Sequence, residues 1–234
     1  MADQLYLSLW FPNFRFEALP AALTSVLRQF AHVSQSQEGK RVAAASAYPL
    51  NFSESPTWQR VYVNDERSED TSDSIIENAV AEATEYLHED MAYEFEMRWK
   101  LWVPASGPRS RSEEKPEDEP ESREELESGL HWKPEPTTVR ILGFGPQFDD
   151  AAFEQNGHIR IDFGLDTPFV ADDTALDDSE LDPLTAKHIQ QNIEMLLAVT
   201  LSIEKNCGIS SRLLWTESGE PLAEKLIARF QRLN

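Results

Sequence analysis

The sequence predicts an α+β fold on an antiparallel sheet, and three observations carry that prediction. The stretch AYEFEMRWKLWV at 92–103 alternates strictly, with Tyr93, Phe95, Met97, Trp99 and Leu101 on one side and Glu94, Glu96, Arg98 and Lys100 on the other. That is the period of a strand with one face in a core and one in water. Apolar residues at 19–30 and at 189–203 recur instead every three to four positions, as in helices with one buried stripe. Up to residue 103 the elements follow one another as βαββαβ, the ferredoxin-like order, in which two helices cover one face of the sheet.

Taken in chain order, LYLSLWF alternates up to Pro12 and reads as a strand near 4–11. Leu19, Ala22, Leu23, Val26, Leu27 and Phe30 form the stripe of a helix over about 17–31, with Pro20 in the first turn, where a missing N–H costs nothing. RVAAASAYPL and WQRVYVND are strands parted by the turn-rich NFSESP. Ser74 and Glu77 have capping-box spacing ahead of Ile76, Val80, Ala83 and Leu87, which predicts a helix over 74–89. The alternating strand follows, with Trp99 as its core anchor.

From 104 to 128 the composition changes to PASGPRSRSEEKPEDEPESREELES, in which Leu126 is the one sizeable apolar residue. Such a segment cannot bury enough surface to offset the entropy of ordering, and disorder is expected. The chain therefore divides into 1–103, an acidic linker at 104–136, and 137–234. The second half reads ββαα. VRILGF and HIRIDF are strands whose connection ends in the turn dipeptide Asn156-Gly157. Asp182 as N-cap and Pro183 open a long helix with a stripe of Ile189, Ile193, Leu196, Leu197, Thr200 and Ile203, which Gly208 can close. A last helix at about 219–233 turns Ala223, Ile227 and Phe230 inward. Two strands make a marginal sheet alone, so they are expected to extend the first half's sheet as one composite domain. LWFPNF at 9–14 and GFGPQF at 143–148 look alike, but a full helix follows the first and only a short link follows the second. We read both as strands stopped by proline rather than as a duplication.

The formal charge is −21, and it is unevenly placed. Residues 65–96 hold twelve Asp/Glu against Arg67, 104–128 hold nine against four basic residues, and 166–182 hold seven against none. This field repels phosphate backbones and acidic headgroups and favours a basic protein partner, so neither nucleic acid nor membrane is expected. The Leu5–Phe11 run is too short and has the wrong flanks for a leader or a span, and the single cysteine, Cys207, suits a reducing cytoplasm.

Chemistry is sparsely signalled. His158, Arg160 and Asp162 lie at i, i+2 and i+4 on one face of a strand and are the candidate catalytic group for a small-molecule enzyme or ligand binder. Against that stands a solvated face with cross-strand pairing to Arg140, Glu94 or Glu96, since no nucleophile or glycine loop accompanies the trio. Asp172, Asp173, Asp177 and Asp178 lack the spacing of a calcium loop, and no histidine pattern suggests zinc. No cofactor is expected. GFG after Arg140, with Tyr6, Trp10 and Tyr62 on an open face, is a weak RNA-binding pattern that Pro146 and the acidic charge oppose. The leading expectation is a non-enzymatic interaction protein that docks a basic partner through Glu82, Glu85 and Glu89 on the helix at 74–89 and through the four aspartates of 166–182.

Overall fold

Alternating strands lay one apolar side each onto a shared layer of helices. The computed structural model describes residues 2–34, 42–62, 71–104, 132–149, 152–170 and 183–218. The strands are β1 (Gln4–Trp10), β2 (Ala44–Pro49), β3 (Trp58–Val61), β4 (Met91–Pro104), β5 (Trp132–Phe144), β6 (Ile159–Leu165) and β7 (Ser211–Thr216). The helices are α1 (Leu19–Val33), α2 (Ser72–Ala83), the short α3 (Ala152–Gln155) and α4 (Pro183–Asn206). The seven strands form one sheet in the order β3-β2-β4-β5-β6-β1-β7, with every neighbouring pair antiparallel.

The βαββαβ succession of the first half is present, but its four strands are not all neighbours in the sheet. β1 lies between β6 and β7, and β4 between β2 and β5. β5 and β6 thus continue the sheet outward from β4, and β1 joins at their far side. The core lies between this sheet and α1, α2 and α4, and includes Leu5, Leu7, Leu9, Leu23, Phe30, Phe95, Trp99, Ile141, Ile161 and Leu196. Trp99 is 1% exposed and packs on Phe30, Phe163 and Phe169 at centroid distances of 5.6, 5.3 and 6.1 Å.

Several boundaries differ from the sequence reading, each for a local reason. α2 begins at Ser72 because Thr71, not Ser74, is its N-cap, its side chain accepting from the Ser74 N–H at 3.2 Å. It ends at Ala83, short of Leu87: the Tyr93 hydroxyl donates to the Tyr86 carbonyl at 3.2 Å and accepts from the His88 N–H at 2.8 Å, which ties that segment outside the helix. β5 starts at Trp132 rather than at Val139, through Pro134 and Pro136. Leu197 faces outward at 46% exposure, and Asn192 and Val199 join the buried side of α4 instead. β7 was not expected at all. The expected cap at Asp182, the last helix at 219–233, and nearly all of the expected linker lie outside the described residues.

The two proline stretches behave as strand stops. Pro12 is followed by Asn13 at φ 47°, and the Pro146 turn ends in Asp149 at φ 47°. In GFG the glycines serve close approach: a Cβ on Gly145 would meet the Glu89 carbonyl oxygen at 2.2 Å, and one on Gly143 would meet Leu19 at 2.8 Å.

Candidate functional site

β6 turns Ile159, Ile161 and Phe163 into the core and presents Arg160 and Asp162 on the face away from the helices. His158 precedes the strand and goes elsewhere. Its ring stacks on Phe14 at 4.3 Å and lies 4.6 Å from Phe153, and its Nδ1 accepts from the Phe11 N–H at 3.0 Å. Burial holds its pKa below the ordinary histidine value. A ring packed between phenylalanines, with one nitrogen committed to the main chain, secures the turn after β1; it is not placed as a base. Asp162 accepts from Gln4 Nε2 at 2.6 Å and from the Gly164 N–H at 2.9 Å. The structure therefore brings Arg160 and Asp162 to one face but does not assemble the trio.

Register defines what surrounds them. Glu96 pairs with Arg140 and Arg140 with Asp162, and Tyr6 of β1 lies opposite Asp162. In the next row Ser46, Glu94, Leu142, Arg160 and Ser8 stand side by side on five strands. The result is a lattice of alternating charge, with Arg140 Nε 3.9 Å from Glu96 Oε1. Arg160 sits 5.1 Å from the Tyr6 ring centre and 5.2 Å from that of Phe144, and its buried Nε has no hydrogen-bond partner among the described residues. Burial raises the Glu94 pKa against the pull of Arg140, and burial, then Asp162, raises that of Tyr6. Cross-strand neutralisation accounts for the charges in this arrangement. Tyr62, expected on this face, packs instead toward α2, where its hydroxyl donates to Glu82 at 3.2 Å.

The acidic candidates separate as well. Glu82 is engaged internally, by Arg60 at 2.5 Å and by Tyr62, whose own pKa burial and Glu82 push up to about 12. Glu89 accepts from Gln147 Nε2 at 2.5 Å, and Glu85 lies exposed in the turn after α2. Asp172, Asp173, Asp177 and Asp178 lie outside the described residues. The residue the sequence reading missed is Asn192: an asparagine at a stripe position of a long helix was the available signal.

Among the described residues no cluster of His, Cys, Asp or Glu could hold a metal ion, and no helix is long and apolar enough to cross a membrane. Compared with protein-family models, with curated proteins and with solved structures, the chain has no significant match.

Proposed function

We propose that the chain is a non-enzymatic interaction module that docks a basic protein partner on the acidic ridge of residues 71–90. One observation carries this reading. That stretch, α2 and the turns after it, holds six carboxylates and no Lys or Arg. Two cations reach it from elsewhere in the described residues, Arg28 of α1, which pairs with Glu77 and lies 3.8 Å from Asp73, and Arg60 of β3, which pairs with Glu82. The remaining carboxylates meet no further cation at ion-pair distance among the described residues, and their potential steers a positively charged surface toward the ridge.

Glu85→Lys with Glu89→Lys tests this, because neither residue supports the fold through a buried contact and Glu82 keeps its partners. Immobilised protein should recover a basic protein from an extract of its own cells at low salt, and less at physiological salt. The doubly reversed protein should lose that recovery at an unchanged thermal midpoint. Equal recovery by both proteins, or a partner without a basic surface, refutes the reading.

A further inference from the structure

Successive residues of a β-strand turn their N–H and C=O groups to opposite edges. On β4 the even-numbered residues face β2: the Glu96 carbonyl accepts from the Ala43 N–H at 2.7 Å. The register between β2 and β4 ends at Ala44 and Glu96, so no strand among the described residues pairs with Arg98, Lys100 and Trp102 on that side. At Trp102 α4 fills the place. Asn192 Oδ1 accepts from the Trp102 N–H at 2.9 Å and its Nδ2 donates to the Trp102 carbonyl at 2.8 Å. A carboxamide is the side-chain equivalent of a peptide unit, so this rung is closed by a mimic of a neighbouring strand. One rung earlier, Lys100 has no main-chain partner on that edge among the described residues. A cleft of about 400 Å³ opens there between β4 and α4, lined in part by Lys100, Trp102, Pro134, Asn192, Glu194 and Met195.

We propose that the β4 edge at Arg98–Lys100 captures an extended peptide segment of a partner protein, main chain to main chain. The vacant rung asks for a donor and an acceptor at peptide spacing, which another backbone supplies as a unit. The volume is that of a small ligand site. Trp102 and Met195 give it an apolar wall. Glu194, whose Oε1 is held by Gln190 at 2.9 Å, faces no cation at ion-pair distance among the described residues, so a segment with basic side chains fits. The opposite edge of the same ribbon is closed, since Pro134 and Pro136 lack the N–H groups that would face outward there. This slot is separate from the ridge at 71–90 and does not depend on it.

The test uses the peptide acetyl-Lys-Val-Lys-Leu-amide and two forms of it N-methylated at alternate residues. Edge pairing uses one side of a strand only. The parent peptide should protect the Lys100 amide from hydrogen exchange, one methylated form should bind as the parent does, and the other should bind roughly tenfold more weakly. The Glu85→Lys/Glu89→Lys protein should bind the peptide unchanged. An unprotected Lys100 amide at millimolar peptide, or equal binding of the two methylated forms, overturns the proposal.

Discussion

Replacing Asn192 should destabilise the fold far more than its polar chemistry on a helix would suggest. The side chain is fully buried and spends its whole amide: Oδ1 on the Trp102 N–H, Nδ2 on the Trp102 carbonyl and on the Pro168 carbonyl at 2.7 Å. Three bonds at about 0.5–1.5 kcal/mol net each sum to roughly 1.5–4.5 kcal/mol, and three main-chain groups, one of them buried, are left unpaired. Asn192→Ala should therefore cost about 2–4 kcal/mol in urea denaturation and raise the exchange rate of the Trp102 amide. Asn192→Asp sharpens the test. A carboxylate can still accept from Trp102 but cannot donate to either carbonyl, and it places a charge in a dry site. Burial raises such a carboxyl's pKa above its unfolded value, so its penalty is absent when both states are protonated and grows as pH rises through the window between the two values. The aspartate variant should be the less stable of the two at neutral pH and should recover on acidification. A cost for Asn192→Ala below about 0.5 kcal/mol, with unchanged exchange at Trp102, would refute the reasoning.

Trp99→Ala should cost about 3–5 kcal/mol, whereas Trp99→Phe should cost under about 1.5 kcal/mol, because the buried indole N–H has no partner among the described residues to lose. Arg98→Ala on the opposite face should be near neutral; equal midpoint shifts for Trp99→Ala and Arg98→Ala would mean that the faces of β4 are misassigned. Glu94 is buried with a raised pKa, so its ionisation opposes folding as pH rises above the ordinary glutamate value of about 4.3. Glu94→Gln should stabilise the protein at neutral pH, and the gain should vanish in denaturation curves taken below that value. Gly145→Ala should cost more than about 2 kcal/mol, since the new methyl meets main chain and not a flexible side chain. A thermal midpoint within a degree or two of the original would show that the Glu89–Gly145 approach can relax.

What was legible in the sequence was whatever depends on period. The alternation of 92–103 placed Trp99, and the alternation of 159–163 placed Arg160 and Asp162 on the open face. Pairing was not legible, because a period says which face a residue takes and nothing about which strand lies beside it. The βαββαβ succession left pairing open: β1 could sit beside β4 or beyond β6 with the same side chains buried. Single rules misled in two more places. Prolines at 134 and 136 argue against a strand only if their missing N–H groups were needed. In the register of β5 those groups point away from β4, past the end of β6, so the strand runs through them at no loss. No strand was read at SRLLWT, where Trp215 lies 4.6 Å from Tyr6 and donates to Ser8 at 3.0 Å, contacts that exist only once β1 is in place.

The same distinction separates the weak candidate site from the stronger one. His158, Arg160 and Asp162 were singled out because polar residues at even spacing share a face, but sharing a face is not convergence. The Phe11 N–H and the ring of Phe14 claim His158 before Asp162 can. The β4 edge carries no motif. Pairing with β2 ends at Ala44 while β4 runs on to Pro104, and Asn192 closes one rung and leaves the one before it without a main-chain partner among the described residues. Strand lengths are set by partners across the sheet, so a vacancy of this kind is a property of the assembled topology and leaves no trace in composition, charge or spacing.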